Sequence, residues 1–138
     1  MAQILVAFVL DASVAIAWAL REDDPRANLA WDRARIEDAA VPTLWWFGLR
    51  NALIVNERRG RIKELQTARF LREISRLPIT MDRTPDETGI LTLARRHRLT
   101  VYDAAYLELA QREVLPLATL DAQLAAAARS ETIPLIGD

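Results

Sequence analysis

Three aspartates, Asp11, Asp103 and Asp121, are the residues whose type and position in this sequence best suit chemistry. Asp11 directly follows an apolar run at residues 4–10, and Asp121 lies two residues beyond a second run at 115–119. Asp103 falls in the first turn of a predicted helix. Ligands of open parallel sheets bind beyond the carboxyl ends of the strands, and carboxylates meeting there repel one another unless a cation neutralises them. Magnesium prefers carboxylate oxygens and water, so the pattern predicts metal-assisted phosphodiester chemistry.

Each aspartate also has a structural interpretation, and the sequence alone leaves both open. Asp103 stands three residues after Thr100, where it fits the N3 position of a capping box. Asp121 fits the N-cap of an alanine-rich helix. Asp11 is harder to explain structurally, because a polar residue that closes a buried strand more often serves a function.

The elements that must position these residues alternate between strands and helices. The run at residues 4–10 is apolar without alternation, which is typical of a strand buried on both faces of a parallel sheet. Further strands are predicted at residues 40–41 (ended by Pro42), 77–81, 115–119 and 133–136. Helices are predicted at residues 14–20, 25–36, 43–59, 62–75, 85–98, 100–110 and 121–129. This alternation indicates an α/β fold with a mainly parallel sheet.

Capping signals mark several helix starts. Ser13 is predicted to cap the first helix, and Asp24 with Pro25 is predicted to form the N-cap and N1 of the second. The segment Thr84-Pro85-Asp86-Glu87 is predicted to form a capping box with proline at N1.

Length and composition indicate one globular domain spanning residues 1–138. The chain has no cysteine, which excludes disulfides and thiolate metal sites and suits a reducing cytoplasm.

The apolar stretch at residues 4–20 follows no basic segment and contains Asp11, so neither a signal peptide nor a membrane helix is expected. The net charge of −1 does not favour a strongly basic nucleic-acid binder, but a carboxylate site lowers the total without removing basic patches.

Four segments together resemble the PIN-domain family, and specifically the VapC-type toxins of toxin–antitoxin pairs. They are VLDASV at residues 9–14, LTVYDAAYLELA at 99–110, LATLD at 117–121, and NAL at 51–53 followed by ERRGRI at 57–62. The similarity covers nearly the whole chain, and YDAAY is its most specific part.

The resemblance implies a three-layer α/β/α sandwich and a cytoplasmic endoribonuclease that depends on Mg²⁺ or Mn²⁺. It also implies a homodimer that a cognate antitoxin protein neutralises. The family's catalytic, metal-binding carboxylates match Asp11, Asp103 and Asp121. The positions that support the site match Ser13, Asn51 and Thr119.

One position departs from the family pattern. The family carries a glutamate three residues before the asparagine that matches Asn51, and this chain has Gly48 there. Glycine supplies no ligand and costs about 1 kcal/mol relative to alanine inside a helix. Either a single base change replaced a glutamate codon during cloning or by design, or Gly48 is a natural variant. Both alternatives predict weak metal binding and reduced cleavage for this chain.

Other groups have competing interpretations. His97, the single histidine, is favoured as a cation that complements the C-terminus of a helix rather than as a general base. The basic clusters at residues 58–63 and 95–98 suit either an RNA path or solvated helix faces. Trp45 and Trp46 are adjacent, so one helix cannot bury both, and the outer one would suit a groove for a partner helix.

Two other functions compete with the nuclease interpretation of the sequence. A PIN-like module that binds RNA or an antitoxin without cleaving RNA fits the glycine at position 48. A phosphotransferase or haloacid-dehalogenase-like role for Asp11 is disfavoured, because Asp11-Ala12-Ser13 lacks the second aspartate of those motifs.

Overall fold

A sheet of four parallel strands forms the centre of the molecule. In chain order the strands are β1 (Val6–Leu10), β2 (Asp38–Pro42), β3 (Ile79–Asp82) and β4 (Leu117–Ala118). Across the sheet they lie in the order β3-β2-β1-β4. The computed structural model describes residues 6–138, so residues 4 and 5 of the first predicted strand lie outside the described residues.

Helices flank the sheet. In chain order they are α1 (Ala12–Ala19), α2 (Pro25–Ala34), α3 (Leu44–Arg58), α4 (Glu64–Ile74), α5 (Glu87–His97), α6 (Val101–Glu113) and α7 (Ala122–Ser130). One group consists of α1 with α2, α3 and α4 packed against it, and the other consists of α6 with α5 and α7. The predicted α/β fold with a parallel sheet between helices is confirmed.

The order of the strands explains why the helices form two groups. The chain moves from β1 to β2 to β3 in one direction, then crosses back to place β4 on the other side of β1. Crossovers between parallel strands are right-handed, so reversing the direction moves the connecting helices to the opposite face. The crevice between the carboxyl ends of β1 and β4 is therefore the point where ligands bind in such sheets.

β1 and the middle of α6 are deeply buried. Phe8, Val9 and Leu10 are fully buried, as expected for a strand with partners on both sides and helices on both faces. In α6 every residue from 104 to 110 is buried, including the charged Glu108. Alanines at several of these positions allow α6 to contact the sheet closely. This fixes the start of α6, and hence Asp103, relative to the strand ends.

Three local predictions are corrected. The strand predicted at residues 133–136 is reduced to one bridge, in which Leu135 pairs with Leu117. Ser13 does not cap α1, because the N-cap is Asp11 and the serine lies inside the helix. The capping box at residues 84–87 does not form, since α5 begins at Glu87 with Asp86 as its N-cap.

Tertiary contacts explain the later start of α5. Both the amide and the hydroxyl of Thr84 bond to Oδ1 of Asp82, and the amide of Asp86 donates to Oε1 of Glu108. The carboxylate of Asp86 then accepts from the amide of Gly89. These bonds hold the segment before α5 outside the helix.

The longest helix among residues 6–138 is α3, with 15 residues. None of the helices described there is both long and apolar enough to cross a bilayer.

Candidate active site

Asp11 occupies the carboxyl end of β1, and a closed hydrogen-bond network holds its side chain. Its Oδ2 accepts from the hydroxyl of Ser13 at 2.6 Å and from that of Thr119 at 2.7 Å. The Ser13 hydroxyl accepts from the amide of Leu120 at 3.0 Å, and the Thr119 hydroxyl accepts from that of Asp121 at 3.0 Å. Each hydroxyl therefore has one donor and one acceptor partner, so its hydrogen is directed at Asp11.

This network joins the two strands that border the crevice. The backbone amide of Asp11 also donates to the carbonyl of Ala118 at 3.0 Å, which extends the pairing of β1 with β4 to the aspartate itself. Ser13 and Thr119, predicted to support the site, both bind the predicted metal ligand.

The environment of Asp11 disfavours an unpaired charge. The residue is only 6% exposed, and burial raises the pKa of its carboxyl above the ordinary value. The hydrogen bonds from Ser13 and Thr119 lower the pKa in part, and the negative charge of Asp121 raises it again. A buried carboxylate in this position gains from a cation, because a cation removes both the desolvation cost and the repulsion.

Asp103 lies in the first turn of α6, where the hydroxyl of Thr100 accepts from its backbone amide at 3.1 Å. The threonine half of the predicted capping box is thus present. The carboxylate of Asp103 does not complete the box, although a side-chain hydrogen bond with Thr100 lowers its pKa in part. Burial, followed by the charges of Asp121 and Asp11, raises the pKa of Asp103.

Asp121 is the N-cap of α7, and its Oδ1 accepts from the amide of Leu124 at 2.8 Å. The predicted N-cap role of Asp121 is therefore confirmed, and this role occupies only one of its two carboxylate oxygens. The charge of Asp121 acts on both Asp11 and Asp103, so the capping residue is also part of the acidic group.

The donor set suits a loosely held hard cation. At the crevice between β1 and β4 the charge of Asp121 acts on Asp11 and Asp103, and the charge of Asp11 acts on Asp103. Over the described residues, however, no three acidic or histidine side chains stand close enough together to form a ready metal cage. Magnesium is commonly bound by one or two carboxylates and keeps several waters. The residues present therefore fit Mg²⁺ or Mn²⁺ held partly by water.

Gly48 faces the same region from α3. The nearest heavy atom to a Cβ built at this glycine is the Cβ of Ala12, at 3.9 Å. This is ordinary van der Waals contact, so close packing does not require glycine here. A side chain at position 48 would begin beside the residue that follows Asp11, which is where an additional acidic ligand would be useful.

Asn51 lies one turn after Gly48 on α3 and is exposed. Its side chain forms no hydrogen bond to any residue between 6 and 138, so a supporting role for Asn51 stays a prediction.

Tyr106 is a residue of this region that the sequence analysis did not select. It follows Asp103 by three residues on α6, is 2% exposed, and lies close enough to Asp11 and Asp103 to feel their charges. Its spacing from Asp103 is the signal that would have found it, because residues i and i+3 share a helix face.

His97 belongs to a different cluster. Its Nε2 lies 2.6 Å from Oε2 of Glu131. The same Oε2 accepts from Arg96, and Oε1 of Glu131 accepts from Gln111. The hydrogen bond from Arg96, followed by that from His97, lowers the pKa of Glu131 to about 2. His97 lies in the last turn of α5, as predicted, and its side chain serves this ion-pair cluster.

The two tryptophans of α3 differ as predicted. Trp45 is 3% exposed and Trp46 is 40% exposed, with Phe47 beside it at 72%. Arg50 covers the ring of Trp46, its guanidinium carbon 3.8 Å from the ring centroid.

Comparisons with known proteins agree with this architecture. A family model described as PIN domain matches residues 8–130. The crystal structure of PAE2754 from Pyrobaculum aerophilum is similar to this chain, with 28% sequence identity and a TM-score of 0.70. The match covers 88% of this chain and 84% of that one. No sequence among curated proteins matches.

Proposed function

We propose that this chain, which belongs to the PIN-domain family, is a metal-dependent endoribonuclease of the VapC toxin type. PIN domains are generally metal-dependent nucleases, so the family itself indicates nuclease chemistry. We further propose that the substrate is RNA, that the chain acts as a toxin, and that the residues described above form the active site.

The position of Asp11 is the observation that carries the proposal. Ser13 and Thr119 fix its carboxylate at the crevice between β1 and β4, within the electrostatic reach of Asp121. Only Asp121 has a capping hydrogen bond as a structural use for its carboxylate, and the three negative charges together attract a divalent cation.

In the proposed mechanism Asp11 is the fixed ligand, and Asp103 and Asp121 complete the anionic side of the site. The hydroxyls of Ser13 and Thr119 hold Asp11 in one orientation, so little rearrangement is needed when substrate arrives. Bound Mg²⁺ or Mn²⁺ would supply an activated water and stabilise charge on the scissile phosphate. No protein nucleophile is needed, which agrees with the absence of cysteine from the sequence.

Arginine and exposed aromatic side chains support RNA as the substrate. Tyr102, immediately before Asp103, is 68% exposed at the start of α6 and offers a face for base stacking. Arg58, Arg59 and Arg61 are exposed at and beyond the end of α3, where they suit contacts with phosphates.

Exposed apolar side chains on α3 support a protein partner. Trp46, Phe47 and Ile54 leave large apolar surfaces in solvent, and such surfaces commonly accept an amphipathic helix. In the proposed function this partner is the cognate antitoxin, and the toxin is a homodimer in the cytoplasm.

Gly48 makes this chain a weak enzyme in the proposal. The space beside Ala12 would accept a side chain, yet the position supplies no carboxylate. The same observation favours a second candidate function, a PIN domain that retains RNA or antitoxin binding without cleavage.

Restoring an acidic ligand separates the two candidates. Gly48→Glu should bind Mn²⁺ at least tenfold more tightly in calorimetric titration and should cleave RNA in a reaction that EDTA stops. Ile54→Glu is the matched control, because it adds the same carboxylate to the exposed side of α3. If Gly48→Glu and Ile54→Glu bind Mn²⁺ equally and neither cleaves RNA, the nuclease proposal is wrong and the binding module is favoured.

A further inference from the structure

The hydroxyl of Tyr106 is buried, and its hydrogen has no acceptor. The residue is 2% exposed, and within residues 6–138 the polar contact of its Oη is the backbone amide of Ala12, which is itself a donor. Buried polar groups in native proteins are nearly always paired, because an unpaired hydroxyl loses its bonds to water without compensation. This exception needs an explanation.

Packing alone does not explain the hydroxyl. Tyr106 belongs to the buried apolar core, with Ala105 and Leu109 among its neighbours on α6. Phenylalanine would fill nearly the same volume and would leave no polar atom unpaired. The oxygen is the part of this side chain that the core does not use.

The location of the hydroxyl suggests its use. Tyr106 is one turn beyond Asp103 on the same face of α6, and its hydroxyl lies near the amide of Ala12, the residue after Asp11. Burial, followed by the charge of Asp11, raises the pKa of the Tyr106 hydroxyl, so the group stays neutral and keeps its hydrogen. A neutral, buried donor that feels the charges of Asp11 and Asp103 is suited to an oxygen that enters with a cation.

We propose that Tyr106 is a positioning residue of the cation site, whose hydroxyl donates a hydrogen bond to a water ligand of the divalent cation beside Asp11. This inference rests on the proposed function, since it requires that a cation binds there. The hydrogen stays on the phenol, and no covalent bond changes at Tyr106. Partners of this kind commonly change metal affinity by about 10–100-fold when they are removed.

The test compares two buried hydroxyls in the Gly48→Glu background, where the cation should bind most tightly. Tyr106→Phe removes only the phenol hydroxyl, and Thr67→Val removes the buried hydroxyl of a residue on α4. Calorimetric titration with MnCl₂ should show affinity about tenfold weaker for Tyr106→Phe and unchanged for Thr67→Val. In RNA cleavage, Tyr106→Phe should lower kcat and leave KM for RNA unchanged.

The outcomes separate this inference from the proposed function. If the parent binds Mn²⁺ and Tyr106→Phe binds it with equal affinity, the positioning role is wrong and the nuclease proposal stands. If the folded parent binds no Mn²⁺, both fail. Circular dichroism and thermal melting without metal should show Tyr106→Phe folded and at least as stable as the parent, since it removes an unpaired polar atom. A variant that does not fold would assign the hydroxyl to the fold and overturn the inference.

Discussion

The hydroxyl of Thr119 lies 2.7 Å from Oδ2 of Asp11, although 108 positions separate the two residues in the sequence. This bond joins the ends of β1 and β4 at the crevice between them. The same hydroxyl also accepts a hydrogen bond from the amide of Asp121. Thr119 is 4% exposed, so water cannot readily replace either bond.

Thr119→Val should therefore destabilise the protein and disturb the site. Valine has almost the same shape but leaves Asp11 with one fewer donor and the Asp121 amide without its acceptor. We expect the free energy of unfolding to fall by about 1–3 kcal/mol in urea titrations. Thr80→Val is the control, since Thr80 also lies in a strand and donates to an aspartate, Asp38, but in an exposed position. Equal losses for the two variants would contradict the special role of Thr119.

Asp11→Asn should stabilise the metal-free protein near neutral pH while weakening cation binding. The folded-state pKa of Asp11 is raised, so the folded state binds its proton more tightly than the unfolded state. Stability from this group is present at low pH and is lost as pH rises from the unfolded pKa through the folded one. The stability advantage of Asp11→Asn should therefore be small near pH 3 and grow as pH rises toward 7.5.

Unfolding of Asp11→Asn and the parent across pH, in EDTA and in Mn²⁺, measures this difference. Mn²⁺ should raise the melting temperature of the parent far more than that of the variant, because ligand bound only by the folded state stabilises it. An advantage for Asp11→Asn that shrinks as pH rises would show that burial does not govern this carboxyl.

Gly48→Ala should stabilise the protein without restoring function. A Cβ at this position meets only ordinary contact with Ala12, and alanine is favoured over glycine inside a helix by about 0.5–1 kcal/mol. Thermal melting should show an increase of about 3 °C, with no change in Mn²⁺ affinity. A loss of stability would mean that α3 needs the glycine for close packing, which would weaken the case for an acidic residue there.

The sequence predicted the fold well because its strongest signals have one dominant cause. β1 is apolar without alternation since both of its faces are buried. The helix α6 begins directly after Thr100, which is its N-cap as predicted. The helix starts that were mispredicted depend on distant residues. Asp86 rather than Thr84 caps α5, because Glu108 from α6 binds the amide of Asp86. No local pattern could reveal that contact.

The sequence selected the residues of the candidate site but not their geometry. Spacing and resemblance selected Asp11, Ser13 and Thr119, which the structure joins by hydrogen bonds. The spacing of Tyr106 from Asp103 is visible in the sequence, but the lack of an acceptor for its buried hydroxyl is visible only in the structure. Similarly, the partner of His97 is 34 positions away at Glu131, so the sequence suggested only the helix dipole.

Glu131→Gln should make the protein less stable at neutral pH and flatten its response to acid. Arg96 and His97 hold the pKa of Glu131 at about 2, below its unfolded value, so this carboxylate contributes stability above the unfolded pKa. That contribution is lost as pH falls from the unfolded pKa toward 2. We expect the variant to lose about 1–2 kcal/mol at pH 7 and nearly nothing at pH 2, measured by urea unfolding at both values. Glu73→Gln, at an exposed position on α4, should change stability little at either pH.

Nuclease activity should be unaffected by His97→Gln, because the imidazole of His97 bonds to Glu131. A large loss of kcat would instead assign His97 to the catalytic site.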